Sequence, residues 1–533
     1  MKPFLRVTVP ALIAGLLVVV ATPREAFCQA RFEVTEASIP QLQAALQAGQ
    51  ITSRDLVELY LARIAAYDRD GPRLNAIRHV NAQARQLADQ RDQDRQNGMG
   101  GGPLFGIPII VKDNINTQDQ PTTAGSVALE GSIPQDNAFI VKKLQDAGAI
   151  ILGKANLTEF ANYLTTGMPS GYSSLGDFVF NPYDPRSFPN QADGGPMLSP
   201  GGSSSGPGVA AAASFAAATI GTETQGSILS PSNQNSLVGI KPTVGLASRT
   251  GIIPIASSQD TAGPMARTVI DAAIMLGAIT AADPDDPTTQ VPGRTVYSDY
   301  TQFLDADALR GARIGIGAAR DLLGHLSYYN SPNAAQQAIL AAAAEQMRKL
   351  GAEVFFVEIK TADALAEFNS SVLSYEFKRD LNAYLSTLPP QARVHSLAEV
   401  IAFNDAYWNQ YRLRFGQVLA RASQAIDLEA ARQRYLADRA TDLRLARDEI
   451  DRLTAANNLD ALLFGSNLGA AIGAKAGYPS VIAPAGYLST TGAPYGVPFL
   501  GRAWSEPRLL ALAYAFEQAS QARRPPPSTP PLP

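Results

Sequence analysis

Helical and strand periodicities alternate along most of the chain. Thr52-Ser53-Arg54-Asp55 has the form of a capping box, and Leu56, Leu59, Tyr60 and Ile64 follow at helical spacing. Residues 107–111 are a short apolar run that stops at Lys112, the pattern of a buried strand. Residues 136–147 predict a helix, 150–152 a strand, and 156–163 a further helix. The Ala-rich run 208–219 predicts a buried helix, because Ala favours helix and needs little room. Residues 313–317 and 353–357 read as strands around a helix at 333–350 that Gly351 closes. Helical periodicity returns at 375–385, 397–403 and 428–454, and 462–464 and 480–483 are late core strands. Such alternation predicts an α/β architecture.

Composition narrows the picture at the two ends. Lys2 and Arg6 precede an apolar stretch, 7–21, which is short for a membrane span, and Cys28-Gln29-Ala30 offers small residues to a signal peptidase. Residues 1–30 are therefore expected to be a secretory signal peptide cut near Ala30, with an uncleaved N-terminal anchor as the alternative. The expected location is secreted or periplasmic, with no membrane insertion of the mature chain. Cys28 is the single cysteine, so a chain starting at Arg31 has no disulfide, thiolate metal site or cysteine nucleophile. Residues 523–533 are proline-rich and predict a disordered tail.

Charge excludes some partners. Charged residues make up 17%, the net charge is −4, and no basic stripe suggests nucleic acid. Nothing in the chain has metal-ligand spacing, and no cofactor is expected. No linker interrupts residues 31–522, which are expected to form one large domain. Oligomeric state is not legible here.

Candidate chemistry concentrates in 201–243, where small residues dominate. Two serine-bearing turns, Gly202-Ser203-Ser204 and Gln225-Gly226-Ser227, flank the Ala-rich run. Such turns suit a phosphate cradle, an oxyanion site or a tightly packed corner. A P-loop needs Gly-Lys-Ser/Thr, but Pro207 follows Gly206. Gly202-Ser203-Ser204-Ser205-Gly206 satisfies G-x-S-x-G, which would make Ser204 the nucleophile of a histidine-dependent esterase; His325 and His395 lie downstream.

The same stretch resembles the amidase signature family of serine hydrolases. The resemblance rests on Gly201-Gly202-Ser203-Ser204, then Gly221-Thr222-Glu223-Thr224-Gln225-Gly226-Ser227, then Gly239-Ile240-Lys241-Pro242-Thr243. It extends upstream to Gly106-Ile107-Pro108-Ile109-Ile110-Val111-Lys112-Asp113-Asn114 and downstream through residues 260–268 to Trp504-Ser505-Glu506. It covers about residues 32–522. Glu223-Thr224, Ile228-Leu229, Tyr375-Glu376-Phe377 and Asp380-Leu381-Asn382 look closest to the peptide amidase-like branch.

The resemblance implies one α/β domain with a central mixed sheet flanked by helices on both faces. It implies a serine amidase that cleaves carboxamide C–N bonds through an acyl-enzyme. Carried over residue by residue, Ser227 is the nucleophile, Ser203 a bridging serine on a cis peptide, and Lys112 the base. Backbone N–H groups of Thr224, Gln225, Gly226 and Ser227 would form the oxyanion hole. Ser204 would support the relay, and Ser126 with Thr166, Gly167 and Met168 would lie on loops lining the substrate cleft. Substrates would be peptide C-terminal amides or hydrophobic acyl and aryl amides. The chain departs from the common pattern at Glu223, Gln225 and Leu229, where many members have Asp, Gly or Asp, and Arg. A catalytically inactive binding protein on the same fold is the reading those departures leave open.

Overall fold

The computed structural model describes residues 32–189, 194–320, 324–410 and 413–533, with Met1 and Pro3. The expected export signal lies, apart from those two residues, outside the described residues. Among the described residues, strands β1 to β7 are Ile77–Val80, Pro108–Lys112, Ile150–Ala155, Tyr172–Ser173, Asp177–Phe178, Ala218–Glu223 and Val238–Lys241. Strands β8 to β14 are Thr261–Ala266, Arg313–Arg320, Leu326–Tyr328, Glu353–Glu358, Ala461–Leu463, Ser480–Tyr487 and Pro494–Leu500.

Twelve of these strands form one mixed sheet in the order β1-β3-β2-β6-β8-β7-β13-β14-β12-β9-β10, with β11 also on β9. β4 and β5 make a separate small hairpin. Every residue of β2, β3, β6, β7, β8 and β14 is buried, so both faces of the sheet are covered by helices and loops. Residues 34–533 form a single compact unit around this sheet.

The topology gathers chemistry at one edge of the layer. β2 and β6 run parallel, with Val111 opposite Ile220, so their carboxyl ends finish side by side. β8 is antiparallel to β6, and Thr261 pairs with Glu223 at that same end. Lys112, the turn after Glu223, and Asp260 therefore converge. The ends of parallel strands are where open α/β sheets place their ligands.

Three expectations are corrected. The Ala-rich run is not one helix: the helix is Ser205–Ala212, and Ala218 already opens β6. Ser214 between them has φ of 53°, which ends the helix. Residues 156–163 hold only a short turn, Glu159–Asn162, because Phe160, Ala161 and Asn162 take left-handed backbone. Residues 523–533 contain no helix or strand, yet they are docked rather than loose. Ser528 Oγ donates to Pro182 O, and Arg63 donates to the carbonyls of Thr529 and Pro530. Arg523 forks onto Glu36 with two bonds of 2.7 Å and donates to Ser236 O at 2.6 Å.

Arg523→Ala strands the Glu36 carboxylate and several carbonyls in a mostly covered site. Urea unfolding should show a loss of about 3 kcal/mol. An unchanged midpoint would mean that the tail is not fastened there.

Candidate active site

Lys112 is the last residue of β2 and is fully buried. Its Nζ lies 2.8 Å from Ser203 Oγ, 2.8 Å from Thr222 Oγ1 and 3.3 Å from Thr222 O. Asn114 Nδ2 donates to the same Thr222 hydroxyl at 3.0 Å. Burial pushes the Lys112 amine down to about 7, while the carboxyls of Asp260 and Glu223 pull the other way. A neutral amine has two N–H bonds and one lone pair. With the two N–H bonds on Thr222 O and Oγ1, the lone pair of the neutral form faces the Ser203 hydroxyl.

Two other lysines are equally buried and serve differently. Lys154 lies 3.4 Å from Asp113 Oδ1 and donates to Pro121 O and Thr122 Oγ1. Lys241 donates to the carbonyls of Pro242 and Tyr478. Burial pushes both down to about 8. Of the three, Lys112 is the one bonded to a serine hydroxyl.

Ser203 follows a cis peptide bond from Gly202. A Cβ on Gly202 would stand 2.8 Å from Thr158 Oγ1 and 2.9 Å from Ser170 Oγ, which leaves space only for glycine. Ser204 N donates to Ser227 O at 3.2 Å, which ties the two serine turns together. Ser227 is 7% exposed, and among the described residues its hydroxyl takes no hydrogen bond.

The Ser204 hydroxyl is held within the turn. It donates to Thr222 O at 3.0 Å and accepts from Thr222 N at 3.2 Å. Ser204 occupies the N-cap position of the helix Ser205–Ala212 without a side-chain capping bond, and loop, not strand, precedes it, so the strand-to-helix elbow that an esterase requires is not formed. Thr222 thus links Ser204 and Lys112.

Among the described residues, the backbone N–H groups of Thr224, Gln225, Gly226 and Ser227 donate to no protein acceptor. Gly226 has φ of 85°, which suits glycine. The departures from the usual pattern leave this turn intact. Glu223 Oε2 accepts from Ile228 N and Leu229 N at 2.8 and 3.0 Å, clamping the chain just beyond Ser227. The Gln225 side chain is exposed to solvent. Leu229 packs with Ala470 and Ile482.

A cleft of about 370 Å³ opens beside this cluster. Asn114, Thr222, Thr224 and Asp260 form its polar wall, with Ile253, Ile255 and Tyr384 on the apolar side. Asp380 and Tyr384 come from the helix Val372–Leu385, so the helical region does reach over the cleft. Ser126, Thr166, Gly167 and Met168 do not line it. Ser126 is buried and caps a short turn, Met168 packs in a cluster with Phe160 and Leu164, and Thr166 and Gly167 face solvent. Asp260 and Thr222 join the site without having been singled out. Asp260 immediately precedes β8, a position whose importance shows only through strand pairing.

The amidase family model matches residues 55–475. A probable amidase of Arabidopsis thaliana is 36% identical over 520 residues, covering 96% of this chain and 95% of the plant protein. Among solved structures, the chain is similar to the native peptide amidase of Stenotrophomonas maltophilia, at 44% identity and a TM-score of 0.83 over 92% of this chain and 98% of that one. An amidase family protein from Bacillus anthracis matches at 36% identity and a TM-score of 0.83, over 92% of both chains. The chain belongs to the amidase family, whose members hydrolyse amide bonds. Of these two solved structures, matched at the same TM-score, the peptide amidase has the higher sequence identity.

Proposed function

We propose that this amidase hydrolyses carboxamides through an acyl-enzyme on Ser227, with Lys112 as base and Ser203 as the bridge. The observation that carries the reading is the buried Lys112 amine, 2.8 Å from Ser203 Oγ and without a carboxylate partner among the described residues. A serine hydroxyl is a poor nucleophile until a base takes its proton. Ser227 passes its proton to Ser203 Oγ as Ser203 passes its own to Lys112 Nζ. Ser227 Oγ then bonds the carbonyl carbon, and the resulting oxyanion is met by the free N–H groups of the 224–227 turn. The Lys112 ammonium returns the proton through Ser203 to the leaving nitrogen, and the C–N bond breaks. Water attacks the acyl-enzyme by the same route and releases the carboxylic acid.

The apolar side of the cleft suits peptide C-terminal amides or hydrophobic acyl and aryl amides. The likeness to a peptide amidase supports the first of these. The Lys2 and Arg6 charges, the apolar 7–21 stretch and the small residues at 28–30 support export, with the mature chain starting at Arg31.

One measurement tests both parts. Protein recovered from the exported fraction, treated with a fluorophosphonate and weighed intact, should begin at Arg31 and carry one adduct that maps to Ser227. An adduct on Ser204 would overturn the assignment in favour of an esterase, and an unlabelled folded protein would favour a binding role. A retained residue 1–30 segment would overturn the export reading alone.

A further inference from the structure

Asp260 precedes β8 and stands against the start of the oxyanion turn. Thr224 Oγ1 donates to its Oδ1 at 2.5 Å. Its Oδ2 accepts from Ile255 N at 2.8 Å and Ala256 N at 2.9 Å, so three donors converge on one carboxyl. Surface carboxylates are not held this way. The loop that supplies two of those donors is itself held by the helix over the cleft. Ser257 N donates to Asp380 Oδ2 at 2.9 Å and Ser258 N to Glu376 Oε2 at 3.0 Å. A line of hydrogen bonds thus runs from the helix to the 255–258 loop, to Asp260, to Thr224, and so to the first of the four free N–H groups.

We propose that Asp260 is a positioning residue for the acylation step, fixing Thr224 so that the oxyanion turn is aimed, and facing as an anion the ammonium that forms on Lys112. The inference rests on the Lys112–Ser203–Ser227 reading above. It deepens that reading by tying the oxyanion turn and the base to one carboxyl. The charged groups around Asp260 are Lys112 and Glu223 at the strand ends, Arg249 with its partner Asp286, and Glu376 and Asp380 with Arg379 on the helix. Arg249 and Arg379 are each already committed to a carboxylate, and among the described residues the cleft-lining carboxyls with no basic side chain bonded to them are the buried Asp260 and the exposed Asp285. Burial pushes its carboxyl up to about 7, against the pull of Thr224, the two loop N–H groups and Arg249. Asp260 and Lys112 therefore change charge in the same pH range, and the negative form of one favours the positive form of the other.

The test follows fluorophosphonate labelling of Ser227 against pH in the wild type, Asp260→Asn, Thr224→Val and Thr224→Ser. Wild-type labelling at Ser227 reports on the underlying reading independently of the variants; its absence would remove that reading and this inference together. Given it, Thr224→Val should label about tenfold slower or worse, with the pH midpoint unmoved, because the turn is misaimed but the charge remains. Thr224→Ser, which keeps the hydroxyl, should recover most of the rate. Asp260→Asn should be slow in the same way and should also shift the midpoint to lower pH, because an anion that favours the Lys112 ammonium is gone. An Asp260→Asn profile with the wild-type rate and midpoint would overturn the inference, as would equal loss in Thr224→Val and Thr224→Ser. The Thr224 pair keeps the aiming role testable if Asp260→Asn fails to fold.

Discussion

Ser227→Ala should remove nearly all amide turnover, a fall of about a millionfold, while leaving the protein as stable as the wild type. The size follows from chemistry. Without the Oγ no acyl-enzyme forms, and what remains is whatever the oxyanion turn does for direct attack by water. The preserved stability follows from structure. The Ser227 hydroxyl makes no hydrogen bond among the described residues, so its removal strands no partner. The neighbouring backbone bond, Ser204 N to Ser227 O, survives the substitution. Turnover of a peptide C-terminal amide, followed by ammonia release, checks the first half, and a thermal melt checks the second. A variant that keeps more than a thousandth of the activity would move the nucleophile elsewhere in the turn.

How far the sequence reveals this site depends on what each residue requires. Lys112 stands out because an apolar run ends in a residue that is ordinarily charged, and burial of its amine is what the structure delivers. Ser203 and Ser227 stand out because glycine turns surround them, and glycine marks places where backbone comes close. Long amphipathic helices and their caps are also legible: Asn333 caps Ala334–Lys349, and Thr52 forms the expected box with Asp55. Fully buried small-residue segments are not. Residues 208–219 have no polar face to set a period, so a helix, a left-handed Ser214 and the start of β6 read as one run. β7, β8 and β14 are missed for a related reason: Gly and Pro in their sequences argue against strands, yet the mixed sheet accepts them where neighbouring backbone or side chains crowd close. At Gly263 a Cβ would lie 2.0 Å from Ile240 O. Asp260 and Thr222 lie in stretches the resemblance quotes, but their contacts are not legible there because they exist only across paired strands. The proline-rich tail misleads because composition reports the cost of ordering a segment, not the buried arginines and carbonyls waiting to hold it.

Lys112→Met should slow acylation by about 10²- to 10⁴-fold and remove the pH dependence that identifies the base. Methionine has a similar reach but a thioether that is not basic, and a buried, uncharged side chain replaces an amine that burial already pushes down to about 7. The fold should therefore tolerate the change better than Lys112→Ala, which opens a cavity under Ser203. The sign of the wild-type profile is fixed by the mechanism. Only the neutral amine can accept the Ser203 proton, so labelling of Ser227 should be level above pH about 7 and fall about tenfold per unit below it, as the ammonium takes over. In Lys112→Met the residual rate should lose that limb. Lys154 and Lys241, though equally buried, cannot replace it, because their donors end on Pro121 and Thr122 and on the carbonyls of Pro242 and Tyr478, away from any serine. A midpoint still near 7 in Lys112→Met would assign the titration to Asp260 instead, and the base would have to be sought on the other side of the cleft.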